Sequence, residues 1–352
     1  MNFPNLVIII YKFMEGNMIK VAINGFGRIG RLALRLMIQD KDFDVVAINT
    51  NSDAETLAYL LKYDTSQGNF MTDKITYEGN ALIVDGKKIL TSSIKEPENC
   101  NWGSLGVDLV IDCTGKFNEK EKAEKHIKAG AKKVLLSAPG KGDLKTIVYN
   151  VNHDILDGSE TIVSAASCTT NCLAPLAKAI NDKFGIVKGL MTTVHAYTND
   201  QNILDNSHKK GIKSRRGRSA AANIVPASTG AASAVGLVLP ALKGKLDGIA
   251  LRVPTITGSV VDLVVELGKN ATVEEINMAV KEASNETLSY TEDPIVSSDV
   301  IGSKYGCTFD ALSTNILDVD GKQMVKLIAW YDNEMSFTAQ LVRLAKYWGA
   351  MK

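Results

Sequence analysis

Apolar residues in the first half of the chain fall into short runs separated by helical stripes. Predicted strands cover residues 19–24, 44–49, 107–112 and 133–136. A stripe at helical spacing follows the first strand, at Leu32, Leu36 and Met37, and a charged helix at 119–128 precedes the last. Strands that alternate with helices favour a parallel α/β sheet with helices on its faces.

Beyond residue 168 the pattern changes to longer runs in which apolar and polar residues alternate. Strands are predicted at 190–194, 260–267 and 324–330, with a helix at 273–283. This alternation is typical of a sheet covered on one face, and it predicts an α+β domain with a mostly antiparallel sheet. A last apolar helical stripe comprises Phe337, Leu341, Leu344, Ala345 and Trp348. The predicted domains are 18–167 with 333–352, and 168–332.

Composition narrows the class of protein. The chain has 352 residues, enough for two hydrophobic cores, and 40 Lys+Arg nearly balance 39 Asp+Glu. No overall field therefore recruits nucleic acid or membrane, and small-molecule partners are the natural expectation. Five cysteines do not form a disulfide framework, so we expect reduced thiols and a cytoplasmic location. Four scattered histidines without a Cys-x-x-Cys motif predict no metal site.

Residues 1–17 differ from the rest. Their apolar run, Leu6 to Ile10, is far shorter than the ~20 residues that a membrane span requires and shorter than the core of a signal peptide. We interpret Met18 as the functional start and residues 1–17 as an extension without function.

A thiol lies among hydroxyl residues where a predicted helix begins. Ser167 and Thr169 are both good N-cap types, so Cys168 falls in or beside the first turn, where free N–H groups stabilise an anion. We expect this thiol to ionise more easily than a free one and to act as a nucleophile. His195, one helix and one strand later, is the candidate base. A buried structural cysteine and a core histidine are the alternatives, and Cys172 is predicted to be a packing residue.

Three motifs carry a family resemblance. They read Ala-Ser-Cys-Thr-Thr-Asn-Cys at 166–172, His-Ala-Tyr-Thr-Asn-Asp-Gln at 195–201 and Trp-Tyr-Asp-Asn-Glu at 330–334. With them the chain, from about Met18 to its end, resembles phosphorylating glyceraldehyde-3-phosphate dehydrogenases. The resemblance implies that Cys168 forms a thioester with the substrate, that His195 moves protons, and that inorganic phosphate releases 1,3-bisphosphoglycerate. It also implies a homotetramer.

A glycine-rich turn joins the first strand to its helix. A strand, Gly-x-Gly-x-x-Gly and a helix form the dinucleotide fingerprint of a Rossmann-type domain, in which the pyrophosphate lies on the helix N-terminus. The predicted cofactor-binding residues of this turn are Gly25, Phe26, Gly27, Arg28, Ile29 and Gly30. Thr114 and Gly115 follow a later strand beside the same crevice. By resemblance, Ser137 and Asn333 contact the nicotinamide half of the cofactor.

Three positions bear on the choice between NAD and NADP. Rossmann domains that select NAD typically have an Asp or Glu at the end of the second strand. NAD-specific members of the resembled family have Asp there, but this chain has Thr50. Ser207 stands where plant relatives that use NADP also have serine, and Lys95 aligns with a basic position of the family. We predict that NADP is accepted. Continued use of NAD, with Thr50 bound to a ribose hydroxyl, stays open.

Two phosphate sites are expected around the thiol. Arg252 is a cation flanked by strand-like apolar residues, and its planar fork suits a phosphate. The resemblance assigns Arg252 and Thr198 to the substrate C3 phosphate. It assigns the attacking phosphate to four residues around Cys168, namely Ser167, Thr169, Thr229 and Gly230.

A basic irregular segment is predicted at 198–226. Its cations are Lys209, Lys210, Lys213, Arg215, Arg216 and Arg218. No aromatic residues lie among them, so we favour a place beside anionic ligands or at a subunit boundary over nucleic acid. The segment is a few residues longer than the family pattern. Two other functions stay open, an erythrose-4-phosphate dehydrogenase that hydrolyses its acyl-enzyme and a non-catalytic RNA- or surface-binding role.

Overall fold

The computed structural model describes residues 18–351, which form two β-sheets with helices packed on them. The segment interpreted above as an N-terminal extension lies outside the described residues. Within 18–351 none of the helices is long and apolar enough to cross a membrane.

The first sheet has eight strands in the order β3-β4-β5-β2-β1-β6-β7-β8. Its strands are β1 Ile19–Asn24, β2 Phe43–Asn49, β3 Ile75–Glu78, β4 Ala81–Val84, β5 Lys87–Ser92, β6 Leu109–Asp112, β7 Lys133–Leu136 and β8 Ile162–Ser164. Its helices are α1 Arg28–Met37, α2 Ala54–Lys62 and α3 Lys120–Lys128. The six strands from β5 to β8 in this order run parallel, as predicted. Strands β3 and β4, which the sequence analysis missed, add an antiparallel edge.

The second sheet has seven strands in the order β10-β11-β9-β12-β15-β14-β13. They are β9 Ile186–Ala196, β10 Val225–Ser228, β11 Leu246–Val253, β12 Ser259–Leu267, β13 Leu288–Thr291, β14 Cys307–Val319 and β15 Lys322–Tyr331. Helices α4 Cys168–Phe184, α5 Ala231–Val238 and α6 Val273–Glu282 contribute to the same core. Within this second sheet the parallel pairs of described strands are β11–β9 and β13–β14 and the other four pairs are antiparallel, so the predicted mostly antiparallel sheet is confirmed. Alternate residues of β12 are buried, which reflects one covered face.

The last helix, α7 (Met335–Gly349), returns to the first sheet. All five members of the predicted stripe are buried, and they share a cluster with residues of β1 and α1. Helix α7 therefore belongs to the core of the first sheet, as its pattern predicted.

Element boundaries differ from the prediction at several places. The basic segment ends at Ile224, because Pro226 lies inside β10, and a single 3₁₀ turn, Arg215–Gly217, interrupts it. Strands β9 and β15 extend beyond the predicted runs at both ends, since backbone pairing with neighbouring strands continues on each side of them. The proposed domain limits stay a prediction.

Candidate active site

Cys168 is the first residue of α4. The Ser167 side chain caps this helix by accepting the Thr170 N–H at 3.2 Å. The sulfur lies 3.4 Å from Nε2 of His195, on β9. The cap predicted from sequence thus places the thiol at a helix N-terminus, and the end of β9 brings the imidazole to it.

The hydrogen bonds of His195 assign its tautomer. Its Nδ1 lies 2.7 Å from the backbone oxygen of Ala196 and 3.0 Å from Nη1 of Arg252. The shorter contact is to an oxygen that can only accept, so Nδ1 carries the proton. The lone pair of Nε2 then faces the sulfur of Cys168, as a general base requires.

The protonation of the pair differs from the prediction. Desolvation, together with the charge of Arg252, lowers the pKa of His195 to about 3, so the imidazole is neutral. Desolvation also raises the pKa of the Cys168 thiol, although Arg252 and hydrogen bonds from Thr169 oppose this. The expectation of an easily ionised thiol was wrong, because burial outweighs the helix N-terminus. The resting pair is a neutral thiol beside a neutral base.

Two helix N-termini converge beside the thiol. Gly230 is the N-cap of α5, and the Thr229 hydroxyl accepts the Ala231 N–H at 3.2 Å. The Thr170 hydroxyl contacts the backbone oxygen of Ala231 at 3.5 Å, which joins the starts of α4 and α5. Free N–H groups at two helix ends favour an anion between them. The structure therefore brings Thr229 and Gly230 to the segment that contains Ser167 and Thr169.

A second anion-binding region, formed by the cationic side chain of Arg252 and the Thr198 hydroxyl, lies beside His195. Arg252 is directly opposite His195 in the parallel register of β11 and β9. Its Nη1 also lies 3.0 Å from the Ala196 oxygen and 3.4 Å from the Thr198 hydroxyl, so the predicted pair of Arg252 and Thr198 is in contact. Nε of Arg252 is buried without a partner within 18–351. An unpaired buried donor of this kind is suited to an anionic ligand.

Arg216 joins this group, although the sequence analysis did not single it out. Its charge lowers the pKa of Arg252, after the larger effect of desolvation, and that of His195. Asp200 holds its guanidinium at 2.5 Å. Only the fold distinguishes Arg216 from the other five cations of the basic segment, because nothing in the sequence pattern separates the six.

The glycine-rich turn fits a dinucleotide. Gly25 has a φ of +91°, and a side chain there would meet Thr114 at 2.8 Å. A Cβ on Gly30 would lie 2.2 Å from the Gly25 oxygen, so a residue without a side chain is needed where the helix packs this closely against the turn. At Gly27, the N-cap of α1, a Cβ would meet nothing within 4 Å, so the backbone faces open space. A pyrophosphate can therefore approach this N-terminus.

The side chain of Arg28 is engaged elsewhere. Its guanidinium bonds to Asp64 and Ser66 and donates from Nε to Glu334 at 2.8 Å. Arg28 therefore offers a cofactor its backbone N–H rather than its charge. Arg28 and Ile29 begin α1 and Phe26 lies in the turn before it, and the Arg28 side chain links that turn to Glu334, the residue after Asn333.

Other predicted cofactor residues lie at the carboxyl ends of the parallel strands. Thr114 and Gly115 follow β6, and the N–H of Ser137, just after β7, donates to the Asp112 oxygen at 3.0 Å. The Asn333 side-chain oxygen accepts from the Ser259 hydroxyl at 2.9 Å. These contacts fix the orientation of the amide. Strand ends are where a parallel α/β sheet binds its ligand.

Thr50 and Lys95 lie at the same strand end. The N–H of Thr50 donates to the Ser92 oxygen at 2.8 Å, and Asn49 pairs with the backbone of Ile94 at 2.8 Å in both directions. These bonds hold residues 92–95 beside the end of β2. Ser207 is exposed in the long loop, and its side chain bonds to Asn206 of that loop. No hydrogen bond within 18–351 joins Ser207 to Thr50.

Comparison with known proteins gives the family. A profile described as "Glyceraldehyde 3-phosphate dehydrogenase, NAD binding domain" matches residues 19–120, and "Glyceraldehyde 3-phosphate dehydrogenase, C-terminal domain" matches 167–333. The chain is 61% identical over 330 residues to a glyceraldehyde-3-phosphate dehydrogenase of Clostridium pasteurianum, covering 94% of this chain and 98% of the relative. The chain belongs to the glyceraldehyde-3-phosphate dehydrogenase family.

Further relatives agree with this membership. The corresponding enzyme of Clostridium acetobutylicum is 60% identical and that of Streptococcus pyogenes 58% identical, each over the same 94% of this chain and 98% of the relative. The predicted family, fold class and NAD-binding domain are confirmed. Members of this family are oxidoreductases that act on an aldehyde group.

The described residues offer no metal centre. Within 18–351 there is no group of three or more His, Cys, Asp or Glu side chains placed to hold a metal ion. The five cysteines are free, and Cys172 is fully buried beneath Cys168 in the core of the second sheet.

Proposed function

We propose that this chain oxidises glyceraldehyde 3-phosphate and passes the acyl group to inorganic phosphate. The observation that carries the proposal is the Cys168–His195 contact of 3.4 Å, placed between the two groups of anion-binding residues described above. A nucleophile and base with a phosphate site on each side suit a substrate that already has one phosphate and receives another.

The residues divide the reaction into two stages. His195 takes the proton of Cys168 as the sulfur attacks the aldehyde carbon, and the N–H groups at the start of α4 stabilise the oxyanion. His195 returns this proton to the oxyanion, which gives the thiohemiacetal, and takes the hydroxyl proton back as the hydride leaves the carbon. A nicotinamide cofactor bound at the glycine-rich turn would supply the hydride acceptor. In the second stage, phosphate held near Thr169, Thr229 and Gly230 attacks the thioester. The C–S bond breaks and Cys168 leaves, while Arg252 and Thr198 hold the C3 phosphate.

Initial rates with and without inorganic phosphate test this function. We expect turnover of glyceraldehyde 3-phosphate to require phosphate, because the thioester otherwise accumulates and stops the enzyme after one cycle. Sustained turnover without phosphate, with erythrose 4-phosphate as the better substrate, would instead support the hydrolysing alternative. Rates are measured as formation of reduced cofactor, with each of NAD and NADP.

We also propose that NADP is accepted besides NAD. Thr50 leaves the end of β2 without a carboxylate, and Asp53, the next acid along the chain, caps α2 by accepting the Thr56 N–H at 2.8 Å. Lys95, held on the adjacent segment, is exposed and supplies positive charge. The 2′-phosphate of NADP carries about −1.5 to −2 charges, so the missing carboxylate and the charge of Lys95 both favour its binding.

Thr50→Asp is expected to restore discrimination against NADP. The new carboxylate accepts a ribose hydroxyl and repels a 2′-phosphate, so the ratio of kcat/KM for NADP to that for NAD should fall about 100-fold. Asn51→Asp, which adds the same charge at the next exposed position, is the matched control and should change the ratio much less. An unchanged ratio in Thr50→Asp would show that Thr50 does not face the 2′-position.

Homo-oligomerisation, as a homotetramer by resemblance, is part of the proposal. The face of the second sheet that points away from its helices exposes four apolar side chains, namely Leu190, Ile249, Leu317 and Met324. They lie on two pairs of adjacent strands, β11–β9 and β15–β14, with β12 between the pairs, and the registers place all four on one face. A second copy is the proposed occupant, because such a patch on a sheet is costly in water. Free cysteines agree with the proposed cytoplasmic location.

A further inference from the structure

Tyr331 contacts both the helix that carries Cys168 and the strand that carries His195. It ends β15 and is 1% exposed. Its hydroxyl lies 2.9 Å from the Thr169 hydroxyl and 2.8 Å from the Thr193 hydroxyl. Thr169 follows Cys168 on α4, and Thr193 lies two residues before His195 on β9. The phenol therefore bridges the element that carries the nucleophile and the element that carries the base.

The direction of these hydrogen bonds follows from what each hydroxyl can reach. Each of the three hydroxyls has one proton. Thr193 is 1% exposed, and within 18–351 its hydroxyl has Tyr331 as its side-chain partner. If Tyr331 donated to Thr193, the proton of Thr193 would be buried without an acceptor, which is rare in folded proteins. Thr193 therefore donates to Tyr331, and Tyr331 donates to Thr169.

This order directs the proton of Thr169 into the site, where its acceptor is the sulfur of Cys168 and a bound phosphate can take the place of that acceptor. The Thr169 oxygen lies 4.0 Å from the sulfur of Cys168, so an anion bound to that hydroxyl would lie beside an acyl group on the sulfur. The other hydroxyls of the cap are already committed, since those of Ser167 and Thr170 lie 2.7 Å apart. The hydrogen bonds from Thr193 to Tyr331 and from Tyr331 to Thr169 thus leave Thr169 as the hydroxyl of this turn that can donate to a bound anion.

We propose that Tyr331 is a positioning residue for the second stage of the reaction, because its hydroxyl keeps Thr169 as a donor to the attacking phosphate. The inference rests on the proposed function. It concerns phosphate transfer alone, since neither the attack of Cys168 nor the proton transfer to His195 passes through this hydroxyl.

Tyr331→Phe tests the inference because it removes the hydroxyl and keeps the ring. The ring packs edge-on against His195, with centroids 6.0 Å apart, and that contact remains in the variant. We expect the KM for phosphate to rise about tenfold, as for the loss of one oriented hydrogen bond to a charged ligand. The single-turnover rate of cofactor reduction without phosphate should stay within about twofold of the parent, because it reports acylation.

Two further variants separate positioning from general damage. Thr193→Val also removes a hydroxyl bound to Tyr331, but Tyr331 still donates to Thr169, so the KM for phosphate should rise less than about threefold. Tyr290→Phe removes a phenol hydroxyl that bonds only to Glu292 among the described residues, and should match the parent. Thermal unfolding of each variant shows that the fold is kept.

Three outcomes overturn the inference. In the first, Tyr331→Phe leaves the KM for phosphate unchanged. In the second, it slows acylation as much as it slows steady-state turnover. In the third, Thr193→Val has the same effect as Tyr331→Phe, as expected of a purely structural tether. A parent enzyme that turns over without phosphate would instead reject the proposed function, and the inference with it.

Discussion

Cys168→Ala is expected to abolish turnover, by about 10⁶-fold on the scale seen when the nucleophile of a covalent mechanism is removed. The reason is that both stages pass through the sulfur, which first binds the substrate carbon and then leaves when phosphate attacks. Alanine has no atom that can form the thioester. The measurement is the steady-state rate of cofactor reduction, followed by a search for acyl-enzyme by mass spectrometry.

Cys172→Ala is the matched control for this experiment. It removes a thiol four residues further along α4, from a site that is 0% exposed, and should retain turnover with some loss of stability. Cofactor binding should persist in both variants, since the glycine-rich turn lies on the other sheet. Sustained turnover by pure Cys168→Ala protein would reject the thioester mechanism.

His195→Asn is expected to lower turnover by about 10² to 10⁴-fold, the usual cost of losing a general base. Because the pKa of the Cys168 thiol is raised, little thiolate is present at neutral pH without a base to take the proton. Because the pKa of His195 is lowered to about 3, the imidazole remains an available base throughout the neutral range. The variant should therefore lose both nucleophilic attack and the proton transfer that accompanies oxidation.

The pH dependence distinguishes a base from a structural histidine. In the parent, the acid form of His195 is reached only far below pH 6, so no acid limb near neutrality is expected from this residue. In His195→Asn the reaction needs thiolate from solvent exchange, so log rate should rise with a slope near one from pH 6 to 9. The rate of alkylation of Cys168 by iodoacetamide should show the same rise with pH in His195→Asn. Parallel pH profiles in parent and variant would contradict the role of His195 as base.

The lowered pKa of His195 also bears on stability. The unfolded state binds a proton near pH 6.5 and the folded state only near 3. Between pH 6.5 and 3 the unfolded state binds this proton and the folded state does not, so this residue lowers the free energy of unfolding increasingly as the pH falls toward 3. This burial is one physical cost of keeping a neutral base beside the thiol.

Local chemistry predicted part of the site well. Of the two predicted N-cap candidates, Ser167 and Thr169, the cap is Ser167, whose hydroxyl before a helical stripe satisfies an otherwise free N–H. The glycines at 25 and 30 are needed for reasons visible in the motif, a positive φ and a close crossing. Apolar spacing likewise placed the stripe of α7 in the core.

Long-range effects were not predictable in the same way. The thiol was expected to ionise easily, but its pKa depends on how much water the folded chain removes, and no local pattern gives that. The side chain of Arg28 turns to Asp64 and Glu334, residues that are far apart in sequence. Tyr331 gains its significance only from its contact with Thr169, 162 residues away in sequence, and Arg216 only from its effect on the pKa of Arg252 and of His195.

The sequence by itself therefore determined most of the elements, the two sheet types and the candidate reactive residues, because hydrophobic period, caps and glycine geometry act over a few neighbouring positions. The tertiary structure alone decided the protonation of the Cys168–His195 pair and the hydrogen-bond direction at Thr169. Both depend on desolvation and on partners from distant strands, which come together only when the chain packs.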